Sequence, residues 1–261
     1  MDAAVTIRNP GLMTMIVDLG RNGYSDMGVP SSAALDGYAC RALAALLDSP
    51  DTPVLEVTGP RFALRFDAEV TCAITGARVK AFLDDVPLLP WASFRAGRGS
   101  ILRVREITEG FRYYIGFAGG LKIDRVMGSY TTNLECRFGG YEGRTLMGGD
   151  VLSLAAPGQP DIRILPDHLI PPMASPHRLR VISGPESDYF TSDSLATFWD
   201  KDPQELFSTS RHLNRTGIRM KGKPLLFRPE VQKSIISEGI LPGTVQIPGD
   251  GLPIVMLHER T

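Results

Sequence analysis

Short apolar runs separated by Gly and Pro recur about every ten residues, the spacing expected of strands joined by tight turns. They fall at residues 54–57, 62–66, 70–74, 101–104 and 113–117. Ile101-Leu102-Arg103-Val104-Arg105 and Phe62-Ala63-Leu64-Arg65-Phe66 partly alternate apolar and polar positions, as half-buried strands do. This pattern predicts a mainly β chain, a barrel or a sandwich, with a few short helices. One helix is expected over about 32–47, where Leu35, Ala39, Leu43, Leu46 and Leu47 form a stripe. Ser31 or Ser32 could cap it, with Asp36 near its positive end. A second helix is expected over about 192–199, capped by Ser192, with Leu195, Phe198 and Trp199 on one side.

Proline marks the division of the chain. Pro171-Pro172 can sit in neither a helix nor a central strand. The expectation is an N-terminal lobe over 1–156, a Pro-rich linker over 157–178 and a C-terminal β lobe over 179–261. That last lobe should begin with a strand at 179–183.

Composition narrows the function classes. The 261 residues carry 28 Lys and Arg against 29 Asp and Glu, a net charge of −1. No basic field is available for nucleic acid or an anionic membrane. No apolar stretch approaches membrane-spanning length and no signal segment opens the chain, so a cytoplasmic protein is expected. Cys40, Cys72 and Cys136 are too scattered for a disulfide or zinc framework and read as buried free thiols. His168, His177, His212 and His258 share no ligand spacing, so no metal site is expected. Phosphate-loop, dinucleotide, nucleophile-elbow and zinc-protease motifs are all absent. So is a biotin-attachment A-M-K-M stretch, which means that biotin is not attached to this chain.

Four polar, Gly-rich segments could carry chemistry. The first, residues 18–36, holds Asp18, Gly20, Arg21, Gly23, Gly28 and Pro30 and leads into the first helix. Arg21 could hold a carboxylate of a substrate or pair internally with Asp18; Asp36 sits at a helix start that favours anions. The second, residues 128–144, clusters Ser129, Thr131, Thr132 and Asn133 ahead of Gly139-Gly140 and Gly143-Arg144. Its backbone N–H groups and guanidinium could face an oxyanion, or the glycines could simply make a hairpin turn. The third, 214–219, presents Arg215 in a turn. The fourth, 237–250, places the carboxylates Glu238 and Asp250 in Gly/Pro turns beside a short strand at 245–247. Such carboxylates could move protons if burial raised their pKa, or could be solvated.

These segments also carry a resemblance. Pro10-Gly11-Leu12, Asp18-Leu19-Gly20-Arg21, Gly23-Tyr24 and Gly28-Val29-Pro30 through Asp36 match the opening of a known family. Leu55-Glu56-Val57, Ile74-Thr75-Gly76-Ala77, Ala118-Gly119-Gly120, Gly139 to Arg144, Gly149-Asp150 and Gln246-Ile247-Pro248 with Asp250-Gly251 continue it. The chain resembles the biotin-dependent carboxyltransferase-related family of the 5-oxoprolinase C subunit. That family is also called allophanate hydrolase subunit 2 and includes KipA-type antagonists. Val17, Ala33 and Leu35 stand where Gln, Gly and Met are usual, and His258-Glu259 where Ala-Asp is usual. The family continues past this point with TTGGYPKIA and a last strand, so a missing closing strand is expected here.

The resemblance implies a cyclophilin-like β-barrel architecture in two lobes. It implies one component of an ATP-dependent complex that opens 5-oxoproline to glutamate, with a homologous B subunit and an A subunit as partners. ATP is used by that complex, with no site assignable to this chain. The alternatives are a carboxyltransferase component of a urea carboxylase-type system and a non-catalytic KipA-type antagonist of a kinase inhibitor. Within the first reading the small-molecule substrate is an amide or lactam. Asp36, Glu238 and Asp250 would be catalytic carboxylates. Arg21, Ser129, Thr132, Arg144 and Arg215 would bind substrate.

Overall fold

A computed structural model describes residues 3–173, 177, 179–199, 207–236 and 238–260. Ser237 and parts of the 157–178 segment therefore lie outside the described residues. The chain forms two compact units, one of residues 1–22 and 32–176, the other of residues 23–31 and 177–261.

The first unit is a curled half-barrel sheet. Its strands are β1 (Ala4–Pro10), β2 (Met13–Val17), β3 (Val54–Thr58), β4 (Phe62–Phe66), β5 (Val70–Leu83), β6 (Val86–Leu88), β7 (Ala92–Ala96), β8 (Ile101–Phe117) and β9 (Val151–Ser153). They run in the order β2-β3-β8-β4-β1-β9, with β5 joined to β8 and carrying β6 and β7. β8 is the spine. Its first half pairs with β4, its second half with β3, and its other edge with β5 along most of its length. Alternation along β4 turns Phe62, Leu64 and Phe66 inward, where each contributes about 1.5–3 kcal/mol by burial.

The short runs at 101–104 and 113–117 are thus one strand, not two. The polar stretch between them reads as a turn but stays paired to β5 through register shifts near Gly76, Arg78 and Lys80. Bulges of this kind keep a ladder intact while bending it.

The first helix, α1 (Gly37–Leu47), packs Ala39, Leu43, Leu46 and Leu47 against β5 and β8. Close packing requires Gly116 in β8, because a Cβ there would lie 2.3 Å from Leu43 Cδ2. The helix starts later than the periodicity suggests. Asp36 is its N-cap, with Oδ1 accepting the Ala39 N–H at 2.9 Å, whereas Ser32 holds a left-handed φ of 48°. The carboxylate satisfies a donor that the helix start would otherwise leave unpaired.

The second unit holds α2 (Ser192–Trp199) and strands β10 (Ser208–Leu213), β11 (Gly217–Lys221), β12 (Val245–Gln246) and β13 (Ile254–Met256), ordered β10-β11-β13-β12. α2 spans the expected residues, but Thr191 caps it, its Oγ1 accepting the Ser194 N–H at 3.3 Å. Residues 179–183 form no strand. Leu179 and Ile182 are largely exposed, and an apolar run without a neighbouring strand has no ladder to join. No helix among the described residues is long and apolar enough to cross a membrane.

Candidate functional site

A dense polar network lies in the first unit, where residues 18–22 and 32–36 meet the loop 126–146. Asp18 is its anchor. The carboxylate accepts the Ser129 hydroxyl at 2.7 and 2.9 Å, the Tyr130 N–H at 2.6 Å and the Gly20 N–H at 2.8 Å. Arg21 is fully buried. Its Nε donates to the Val126 carbonyl at 3.0 Å, its Nη2 to the Thr131 carbonyl at 3.1 Å, and its guanidinium lies 4.5 Å from the centre of the Phe138 ring. Arginine suits this place because its planar fork serves several acceptors while stacking on an aromatic face.

The hydroxyl-rich stretch is held just as firmly. The Thr131 hydroxyl donates to the Ser32 carbonyl at 2.7 Å and the Thr132 hydroxyl to the Ile16 carbonyl at 2.9 Å. Asn133 donates to the Ser32 hydroxyl at 3.1 Å and accepts the Cys136 N–H at 2.7 Å. Ser129, Thr131, Thr132 and Asn133 are all buried. Buried polar groups are costly unless paired, so this network fixes one arrangement of two loops distant in sequence.

The glycines of the 139–144 turn serve close approach. A Cβ at Gly139 would sit 2.2 Å from the Thr131 carbonyl oxygen, and one at Gly140 1.9 Å from Thr132 Oγ1. The N–H of Gly140 donates to the Tyr130 carbonyl at 2.9 Å and that of Gly143 to the Gly139 carbonyl at 2.9 Å. Arg144 forms a two-point pair with Asp150, at 2.8 and 3.0 Å, and also meets Glu142. The hydrogen bonds from Arg144 hold the Asp150 carboxyl below its ordinary value, and those to Asp150 raise the Arg144 guanidinium.

A second buried group adjoins α1. Glu56, inside the apolar strand β3, accepts the Tyr114 hydroxyl at 2.9 Å and the Leu35 N–H at 3.1 Å, with Arg112 Nε 3.6 Å away. Tyr114 accepts the Asp36 N–H at 2.9 Å. Burial, reinforced by the Glu56 carboxylate, pushes the Tyr114 phenol up, so it remains a donor.

The expected site residues therefore fall into groups. Arg21, Ser129 and Thr132 share the buried clasp; Asp36 caps α1 beside the Glu56–Tyr114 pair; Arg144 is locked to Asp150. The remaining three belong to the second unit. Arg215 is buried against Glu259, Asp250 pairs with Arg219 at 3.2 Å, and Glu238 is exposed. Glu56 and Tyr114 join this structure without having been singled out as site residues, whereas Asp18 and Asn133 stood in the candidate segments with no substrate role assigned. Glu56 was the most visible of them, a lone charge in the middle of an apolar strand. Cys40 and Cys72 are buried, but Cys136 is exposed, against the expectation for all three. Among the described residues, no group of three or more His, Cys, Asp or Glu is placed to hold a metal.

The family described as carboxyltransferase domain, subdomain A and B, matches residues 27–261. The chain is 32% identical over 252 residues to the C subunit of 5-oxoprolinase from Escherichia coli, covering 95% of this chain and 78% of that protein. It is 33% identical over 230 residues to urea amidolyase of Saccharomyces cerevisiae, but spans only 12% of that much longer protein. The solved urea carboxylase of Kluyveromyces lactis matches 99% of the chain with a TM-score of 0.83 and 26% identity, over 24% of its own length.

Proposed function

The chain belongs to the carboxyltransferase domain A and B family, and from that premise we propose that it is the C subunit of an ATP-dependent 5-oxoprolinase. The complex is a hydrolase, an amidohydrolase that opens the lactam of 5-oxoproline to glutamate. This chain works there as part of a heteromer, with a homologous B subunit and an A subunit, in the cytoplasm. The supporting observation is the match to the bacterial C subunit, which covers 78% of that protein rather than a small part of a fused enzyme.

Lactam opening needs a donor at the carbonyl oxygen and a proton source at the ring nitrogen. In this reading Arg21, Ser129, Thr132 and Asp36 act by position, holding loop 126–146 and the start of α1 in register. Arg215 does the same in the second unit. Arg144, Glu238 and Asp250 keep solvent-accessible atoms and are the groups assigned to substrate or to a partner's residues. The glycine-rich turn 139–144 does not fit a nucleotide phosphate. Its Gly140 and Gly143 N–H groups are used by carbonyls and its arginine by Asp150. The test is glutamate formation from 5-oxoproline and ATP, with this chain and its two partner proteins mixed and singly omitted. Full activity without this chain would end the reading.

A second reading is a carboxyltransferase component of a urea carboxylase-type system, fed by biotin on a separate carrier. The likeness to the K. lactis urea carboxylase over 99% of the chain favours it. Transfer of labelled bicarbonate to urea, blocked by avidin, would select this reading over the first.

A further inference from the structure

The first unit carries a groove of about 280 Å³ lined by three arginines and an asparagine, with no carboxylate in its wall. Strand register builds it. Asn9 in β1, Ala63 in β4 and Arg103 in β8 stand level with one another, while Phe62 and Val104 alternate to the buried face. The β1–β4 ladder shifts register between Ile7 and Asn9, and that shift brings Asn9 level with Ala63. Neighbouring strands lie about 4.8 Å apart, so the backbones of Asn9 and Arg103 are separated by about 10 Å across Ala63. The methyl group of Ala63 does not fill that interval, and the hollow it leaves is the floor of the groove. Arg61, one residue before β4, and Arg105, two residues past Arg103, line the same hollow.

The polar side chains of this wall are donors with capacity to spare. Asn9 Oδ1 accepts the Gly11 N–H at 2.9 Å, which leaves its NH2 group unused among the described residues. Arg105 is committed elsewhere: it pairs with Asp85, and its guanidinium lies 4.3 Å from the centre of the Phe82 ring. Arg61 and Arg103 form no ion pair among the described residues, although Asp84 senses the charge of Arg103 from beyond contact distance. Arg61 also holds a left-handed φ of 68°. That conformation costs a residue with a Cβ about 1–2 kcal/mol, and glycine would adopt it freely. A strained backbone that carries a guanidinium into a hollow points to a use for the side chain.

We propose that the groove binds a doubly charged phosphoryl group, either free phosphate or a small phosphomonoester. Two guanidinium groups without a contacting counter-charge call for two negative charges, which a single carboxylate does not supply. The acceptor oxygens of a phosphoryl group match two planar forks and an amide. A nucleic acid is not called for, because a chain with a net charge of −1 offers no wider basic field along which a backbone could run. The groove shares no residue with the clasp between residues 18–36 and 126–146, and the proposal does not depend on the 5-oxoprolinase reading.

The test is titration of the full chain with inorganic phosphate and with phenyl phosphate, at neutral pH and constant ionic strength, followed by amide NMR. Saturable shifts are expected at Asn9, Ala63 and Arg103, with a dissociation constant of about 1 mM or tighter. Arg61→Gly and Arg103→Met should each weaken binding about tenfold or more, the size of one lost charge-assisted contact. Glycine takes the φ of 68° without strain, so Arg61→Gly removes the charge and keeps the backbone. Lys221→Met, which removes an exposed cation from β11, should leave the constant within about twofold, as expected where only screened, distant charge is lost. Tighter binding of phenyl phosphate assigns a phosphomonoester, and equal binding assigns free phosphate. Shifts that stay linear up to about 10 mM, an equal affinity for acetate, or an equal loss in Lys221→Met overturns the site.

Discussion

Arg215 and Glu259 form a buried ion pair, Nε donating to Oε1 at 2.8 Å, with side chains 2% and 8% exposed. Arg215 lies in the turn between β10 and β11, and Glu259 three residues beyond the end of β13. Backbone bonds run beside it. The Glu259 N–H donates to the Arg215 carbonyl at 3.1 Å and the Leu257 N–H to the Thr216 carbonyl at 2.8 Å. The β11–β13 ladder is thereby extended past its assigned end, and the charged pair closes it. Glu259 keeps the carboxylate that the resemblance expects from Asp, on an arm one methylene longer.

Removing one partner of such a pair strands a desolvated charge. Arg215→Ala should therefore destabilise the second unit by about 3–5 kcal/mol, whereas Arg215→Met combined with Glu259→Leu should recover most of the loss. Urea denaturation followed by circular dichroism, with amide exchange at β11 and β13, measures both. A single-mutant loss under about 1 kcal/mol would show the pair to behave like a solvent-exposed one.

The clasp predicts a contrast between two glycines of similar backbone. Gly99 and Gly140 both have positive φ, 91° and 54°, but a Cβ at Gly99 meets nothing within 4 Å while one at Gly140 meets Thr132 Oγ1 at 1.9 Å. Strain alone should make Gly99→Ala cost about 1 kcal/mol. Gly140→Ala adds overpacking against a buried, bonded threonine and should cost about 1–3 kcal/mol more. Equal midpoints of denaturation for the two variants would mean that the turn at 139–144 is free to move.

Much of the sheet was legible because burial on one face imposes a period of two, as in 62–66, and because turns demand Gly and Pro. What was hidden has a common cause. The continuity of β8 depends on β5 lying alongside its polar middle, and the start of α1 depends on Asp36 outcompeting Ser31 and Ser32 for the helix N-terminus. The clasp was half visible. Its hydroxyl cluster and Arg21 stood out by residue type. The pairings did not, since Asp18 and Ser129 are separated by 111 positions and Glu56 and Tyr114 by 58. Local pattern reports which groups need satisfying and not which distant group satisfies them.

The thiols give a chemical test of the same packing. Burial raises the Cys40 thiol well above its ordinary value, with Glu56, Asp36 and Asp18 adding to the effect, and burial raises Cys72 as well. Both stay protonated and poorly nucleophilic at neutral pH. Cys136 is exposed. At pH 8 the native chain should therefore react with one equivalent of a thiol reagent quickly, and with three after denaturation. Rapid native labelling of Cys40 would place α1 in motion against β5 and β8.

Asp150 predicts an acid-sensitive turn. The hydrogen bonds from Arg144, helped by the Met147 N–H at 2.7 Å, hold its folded pKa below the ordinary 3.8. A depressed carboxylate contributes its stability above the unfolded value and loses it as pH falls through the folded one. The contribution should be complete at neutral pH, decline below about pH 4 and vanish once Asp150 is protonated in both states. Asp150→Asn should be less stable than the parent by about 1–2 kcal/mol at pH 7, with the gap closing in acid. Denaturation midpoints of the two proteins between pH 7 and pH 2 measure it. A gap that stays constant across that range would assign the stabilisation to the shape of the 144–150 turn instead of to the charge on Asp150.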